Sequence, residues 1–107
     1  MKRIAVIAVM ACSLALPAGA DEPRAQRGRT FAQANCASCH AIGPVGDSPL
    51  RIAPPFRALH QRYPVENLAE ALSEGIVTGH PTMPEFRLDI VQINDFIAYL
   101  KTLERPR

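Results

Sequence analysis

The chain has 107 residues, 12 of them basic and 10 acidic, and this length allows one domain. The formal net charge of +2 is too small for the clustered basic surface that nucleic-acid binding requires. Lys2 and Lys101 are the only lysines, so a lysine-rich face that would steer a charged partner is absent. The composition therefore excludes nucleic acid as a partner.

The first 20 residues have the pattern of a secretory signal peptide. Residues 2–3 are basic, residues 4–16 are almost entirely apolar, and residues 18–20 are the small residues that signal peptidase recognises. We expect cleavage after Ala20, which leaves residues 21–107 as a single exported domain in the periplasm. Removing two basic residues leaves 10 against 10 acidic ones, so the mature chain is close to neutral.

Two alternatives to this cleavage involve the membrane. The apolar run is shorter than the roughly 20 residues needed to span a bilayer, so we expect no membrane span after signal removal. Val9-Met10-Ala11-Cys12 loosely resembles a lipobox, which would make Cys12 a lipidated N-terminus. Apolar residues continue beyond Cys12, which favours cleavage after Ala20.

The mature domain needs something other than its core to stabilise it. About 87 residues (107 minus 20) without tryptophan supply only a small core. Cys36 and Cys39 are three residues apart, and a disulfide between them would close a very small loop and stabilise little.

The first predicted helix runs from Pro23 to Asn35. Proline suits a first helical turn, because its missing N–H would have no partner there. Ala25, Gly28 and Ala32 recur at helical spacing and form a flat strip, which predicts close approach of another helix.

A second predicted helix covers Pro64 to Glu74, with Leu68, Ala71 and Leu72 as its apolar stripe and Gly75 ending it. The segments on either side, residues 41–55 and 79–86, are rich in proline and glycine and predict loops.

The last predicted helix has the strongest periodicity. Asp89 and Gln92 form a capping-box pattern at its start, and Pro106 marks its end. Its apolar residues at i, i+3, i+4 and i+7 are Ile93, Phe96, Ile97 and Leu100. No stretch alternates like a β-strand. The predicted fold class is all-α, with three main helices joined by long Pro- and Gly-rich loops.

The segment Cys36-Ala37-Ser38-Cys39-His40 has the spacing of a haem attachment site. Two thiols on one turn can form thioethers with the two vinyl groups of one haem, and the following imidazole can be the proximal iron ligand. A thioredoxin-like dithiol would need a βαβ pattern, which is not visible. A structural zinc site would need a fourth ligand. His60 or His80 could supply it, but neither belongs to a second closely spaced pair of metal ligands.

The sixth position of the iron has two candidate ligands in one loop. Met83 lies between Pro81 and Pro84, and a thioether there would stabilise ferrous iron and raise the reduction potential. His80 is the rival ligand and would lower the potential. His60 is expected on the surface or beside a helix.

Taken together, these residues resemble the class I (mitochondrial-type) c-type cytochromes, in particular small monohaem bacterial ones, over residues 24–104. The resemblance rests on Gly28, the pentapeptide at 36–40, the Pro-rich loop at Met83 and the final helix. It implies the cytochrome c fold around one covalent haem c, with the first and last helices crossing at Gly28.

The resemblance also implies roles for further side chains. Phe96 and Tyr99 are the candidates to pack at Gly28. The carbonyl of Pro54, or alternatively of Pro49, would accept the imidazole N–H of His40. Arg51, Arg57 and Tyr63 are candidates to contact the haem propionates.

The predicted function is electron transfer between redox proteins, without catalysis. No nucleophile–base pair or paired-carboxylate site is visible in the sequence. The chain would act as a monomeric periplasmic carrier with His40 and Met83 on iron, or as the haem subunit of a dehydrogenase or reductase complex. A gas sensor or enzyme would need an open sixth position.

Overall fold

The computed structural model of the chain describes residues 3–11, 21–75 and 82–104. Three α-helices, α1 (Asp21–Asn35), α2 (Leu68–Glu74) and α3 (Ile90–Thr102), combine with two 3-10 helices, η1 (Phe56–Gln61) and η2 (Val65–Asn67). Within the described residues there is no strand, so the all-α prediction is confirmed. None of the helices in these ranges has the length and apolar character needed to cross a membrane.

The first helix begins two residues earlier than predicted, at Asp21 instead of Pro23. Proline in the first turn costs no helical hydrogen bond, so it does not define where the helix begins. Ala32 is completely buried and Gly28 is buried, while most of the remaining side chains of α1 are exposed. The strip of small residues therefore faces the protein interior, as expected.

Close contact between α1 and α3 occurs at Gly28. A Cβ atom added there would overlap the backbone carbonyl oxygen of Asp95 and would lie 2.8 Å from Cβ of Tyr99. Only glycine allows the two helix backbones to approach this closely. The predicted crossing at Gly28 is present in the structure.

The two aromatic residues assigned to this crossing lie in different places. Tyr99 contacts the Gly28 position, whereas Phe96 packs edge-to-face against Phe31, with ring centroids 6.1 Å apart, and against Phe56 at 5.6 Å. Residues 96 and 99 are not at the same height on α3, so one of them meets the backbone of α1 and the other meets its side chains.

A second contact between these helices was not predicted. Nε and Nη2 of Arg27 each donate to a carboxylate oxygen of Asp95 at 2.9 Å. Asp95 is buried, and this two-point contact satisfies both of its oxygens. The hydrogen bond also raises the pKa of Arg27. The pair fixes the register of α3 on α1 one residue away from the Gly28 contact.

The capping box of α3 is confirmed. Gln92 N donates to Asp89 Oδ1 at 2.8 Å, and Asp89 N donates to Gln92 Oε1 at 3.2 Å. The predicted stripe faces inward, with Ile93, Phe96 and Leu100 buried and Ile97 packed at the edge of the core. The helix ends at Thr102, and Pro106 lies outside the described residues.

The second predicted helix is divided in two. Pro64 has extended backbone and precedes η2, and the α-helix begins only at Leu68. Gly75 ends α2 with φ of 78°, in the left-handed region, as predicted for a glycine at this position. Leu68 and Leu72 pack against the core.

Residues 41–55 contain no regular helix or strand, as expected. The 3-10 helix η1 follows at once and was missed, because six residues are too few to show a periodic pattern. Its Phe56 and Leu59 are buried. They are three residues apart, which places them on one face of a 3-10 helix.

Gly28→Ala is expected to lower the free energy of unfolding by about 1–3 kcal/mol, because the added methyl group forces α1 and α3 apart. Alanine favours a helix over glycine by roughly 1 kcal/mol, and the cost of the overlap between the two helices is expected to outweigh this gain in helix stability. Gly43→Ala is the matched control, since an added Cβ there meets nothing within 4 Å. Denaturant unfolding of the haem-containing protein measures both, and an equal effect of the two substitutions would contradict the helix contact.

Candidate haem site

The pentapeptide at residues 36–40 continues the backbone of α1 as a compact turn. Cys36 N donates to Ala32 O at 2.8 Å, and His40 N donates to Cys36 O at 2.9 Å. Both are hydrogen bonds between residues four positions apart, as in an α-helix. The two cysteines and the histidine therefore lie close together at the C-terminal end of α1. The position of α1 against α3 therefore decides where this turn lies.

A cavity next to this turn brings the predicted site residues together. Cys36, Cys39, His40, Pro54 and Met83 all line it. Most of the remaining wall is apolar or aromatic and comes from four different segments: Phe56 and Leu59, Tyr63, Leu68, and Pro84 with Phe86. Tyr63 was predicted as a haem contact, whereas the other wall residues were not predicted as part of the site, although the three-residue spacing of Phe56 and Leu59 was a usable signal.

His40 is held in one orientation. Its Nδ1 lies 2.7 Å from the carbonyl oxygen of Pro54, and only 8% of its surface is exposed. A carbonyl can only accept, so Nδ1 carries the proton and Nε2 carries the lone pair that can ligate a metal. The ring of Phe56 packs against the imidazole, with centroids 5.0 Å apart. Pro54, rather than Pro49, provides the carbonyl.

The two cysteines are free thiols and half-buried. Burial, with a smaller contribution from Cys39, raises the pKa of the Cys36 thiol to about 11. Reactive dithiols need a lowered pKa, so this environment argues against thioredoxin-like exchange. Among the described residues, no group of three His, Cys, Asp or Glu side chains is arranged to hold a metal ion.

The loop after His40 is tied to the rest of the fold by hydrogen bonds. The hydroxyl of Tyr99 donates to Ile42 O at 2.6 Å, and Phe56 N donates to Ala41 O at 2.9 Å. Leu50 N donates to Cys39 O at 3.0 Å within the same region. These bonds position the Pro54 carbonyl relative to His40, although the segment between them has no regular structure.

Met83 lies in the cavity wall and is half-buried. The end of its segment is anchored by Leu88 N, which donates to Leu72 O at 2.8 Å, and Phe86 also lines the cavity. His80, the rival ligand, lies outside the described residues.

The three propionate candidates lie in different environments. Tyr63 lines the cavity, and burial raises its pKa. Arg57 instead donates from Nη1 to Gly46 O at 2.7 Å and lines a separate groove together with His60. Arg51 is exposed. Of the three, only Tyr63 contributes to the cavity.

The sequence matches the cytochrome c family over residues 25–104. The chain belongs to this family. A cytochrome c-553-like protein of Synechocystis sp. (strain ATCC 27184 / PCC 6803 / Kazusa) is 36% identical over 79 residues, which cover 74% of this chain and 69% of that protein. No solved structure matches the chain. The predicted family and fold are confirmed, and the chain is a class I c-type cytochrome that carries covalent haem c and acts as an electron carrier rather than an enzyme.

The residues of the cavity fit such a group. Two thiols outside any disulfide, an imidazole whose Nε2 carries the lone pair, and an apolar wall match what thioether attachment and axial ligation require. When bound, haem supplies an iron that gains and loses one electron. The surrounding side chains exclude water and orient the imidazole, and the Pro54 carbonyl increases its basicity as a ligand.

Tyr99→Phe is expected to lower the free energy of unfolding by about 0.5–1.5 kcal/mol, because the Ile42 carbonyl loses its donor. The ring itself is retained, so the helix contact at Gly28 should be unaffected. Thermal unfolding of the haem-containing protein measures the loss. An unchanged midpoint would mean that this hydrogen bond does not stabilise the loop after His40.

Proposed function

We propose that the protein is an exported monohaem electron carrier in which Cys36 and Cys39 attach the haem and His40 and Met83 ligate its iron. The observation that carries the proposal is the convergence of these four side chains on one cavity, although Met83 is 43 positions beyond His40 in the sequence. Single electrons would pass between a donor and an acceptor protein whose identities the site chemistry does not specify.

His/Met ligation agrees with the surroundings of each ligand. His40 is buried, and its Nδ1 is bonded to a backbone carbonyl. Met83 stands beside Pro84 in a segment whose far end is bonded to α2, which limits how far its thioether can move. A pair of protein ligands on the iron leaves no position for substrate, which suits a carrier.

Export to the periplasm is the second part of the proposal. It rests on the signal-like residues 2–20 and on the need for haem attachment on the exported side. Cleavage after Ala20 would leave residues 21–107 as the mature domain, which contains all of α1 (Asp21–Asn35).

Met83→Ala is expected to abolish the weak far-red absorption band of methionine-bound ferric haem and to lower the reduction potential. It should also allow carbon monoxide to bind the ferrous protein rapidly. His80→Ala is the matched control and should leave the band intact. Loss of the band in His80→Ala and its retention in Met83→Ala would refute ligation by Met83.

The mass of the purified exported protein tests the export proposal. We expect a chain that begins at Asp21 and carries the added mass of one haem. A chain that begins at Cys12 with an attached lipid, or one that retains residues 1–20, would contradict cleavage after Ala20.

A further inference from the structure

The Pro54 carbonyl holds the imidazole of His40 at one point on the edge of its ring. Nδ1 lies 2.7 Å from that oxygen. A carbonyl oxygen accepts hydrogen bonds over a broad range of directions, so this bond fixes the place of Nδ1 more strictly than the tilt of the ring plane. A contact with the face of the ring is what limits tilt.

Phe56 makes such a contact. Its ring centroid is 5.0 Å from that of the His40 imidazole, and the two planes are inclined at 41°. This separation falls within the range of about 4.5–7 Å over which aromatic rings attract each other. Phe56 is buried and lines the haem cavity. An imidazole that tilted towards Phe56 would collide with its ring, so the contact restricts the tilt on that side.

The ring of Phe56 is itself held in place. Phe96 of α3 packs against it edge-to-face, with ring centroids 5.6 Å apart and an angle of 79° between the planes. The backbone of Phe56 is fixed as well, since its N donates to Ala41 O at 2.9 Å, and Ala41 is the residue directly after His40. The position of the Phe56 ring is therefore tied both to α3 and to the backbone that carries the imidazole.

The two groups that contact the imidazole come from three consecutive residues, Pro54-Pro55-Phe56. Pro55 has φ of −59° and ψ of 139° and directly precedes η1. A proline ring locks φ near this value, so the link between the Pro54 carbonyl and the Phe56 side chain is stiff. One short segment thus presents a hydrogen-bond acceptor to the edge of the imidazole and a flat ring to its face, at a fixed separation.

We propose that Phe56 is a positioning residue that fixes the orientation of the His40 imidazole plane, together with the Pro54 carbonyl. The inference rests on the proposed function in one respect, that His40 ligates the iron. Groups around a metal ligand orient it and tune the metal. In low-spin ferric haem, the distribution of unpaired spin over the four haem methyl groups depends on the orientation of the axial ligands. The proposed role therefore has a spectroscopic signature, which a residue that only fills space would not affect.

Nuclear magnetic resonance of the haem-containing mature protein tests this proposal. Phe56→Leu keeps an apolar side chain and removes the flat ring, so we expect the relative shifts of the four haem methyl signals in the ferric protein to change. Phe56→Met carries the same expectation, so the test does not depend on one variant. The ferrous low-spin protein has no unpaired spin, and its spectrum therefore measures any direct effect of the lost ring on neighbouring signals, which is subtracted.

Phe31→Leu is the matched control. It removes a ring from the same aromatic cluster by the same substitution, but Phe31 packs against Phe96, with centroids 6.1 Å apart, and is one ring further from His40. We expect the change in the ferric methyl shifts to be several times smaller in Phe31→Leu than in Phe56→Leu.

Two results would overturn the positioning role of Phe56. One is an unchanged pattern of ferric methyl shifts in both Phe56→Leu and Phe56→Met, and the other is an equal change in Phe31→Leu. The spectrum of the unsubstituted protein tests ligation separately. Strongly shifted ring protons of His40 in the ferric state show that its imidazole is bound to the iron, and their absence would refute the proposed ligation before any variant is compared.

Discussion

The contact between α1 and α3 at Gly28 is the constraint on which the rest of the structure depends. The turn that carries Cys36, Cys39 and His40 continues directly from α1, so its location follows from how α1 packs. The Arg27–Asp95 pair fixes the register of that packing, and Tyr99, next to the crossing, holds the loop after His40 through Ile42. A shift of α1 against α3 would therefore move Cys36, Cys39 and His40 relative to the rest of the site.

The cavity is built from segments that have little regular structure. Pro54 and Phe56 come from the end of an irregular loop and the start of η1, and Met83 comes from the segment before α3. No helical or sheet hydrogen-bond ladder holds these segments; backbone hydrogen bonds to Cys39, to Ala41 and to Leu72 of α2 fix them instead. Such a short chain can rely on this arrangement because covalent haem adds apolar surface that the polypeptide alone lacks.

The short helix η1 separates two chemically different surfaces. Phe56 and Leu59 contribute to the apolar wall and the core, while Arg57 and His60 line a separate groove. A repeat of three residues allows six residues to supply both faces. The same element therefore packs Phe56 against the imidazole of His40 and places the Arg57 guanidinium, which donates to Gly46 O, outside the haem site.

The sequence by itself determined α1, α3 and the end of α2 at Gly75, together with the capping box at Asp89 and the turn at residues 36–40, because these depend on residues within a few positions of one another. It also indicated the close approach at Gly28, since small residues at helical spacing leave only a flat surface. Tertiary structure alone decided the Arg27–Asp95 pair, the separation of Phe96 from Tyr99, the η1 helix and the choice of Pro54 over Pro49 as the partner of His40. Each of these features depends on contacts between residues distant in the sequence or on an element too short for a periodic pattern. Where the local sequence pattern allows more than one arrangement, packing in three dimensions selects one of them.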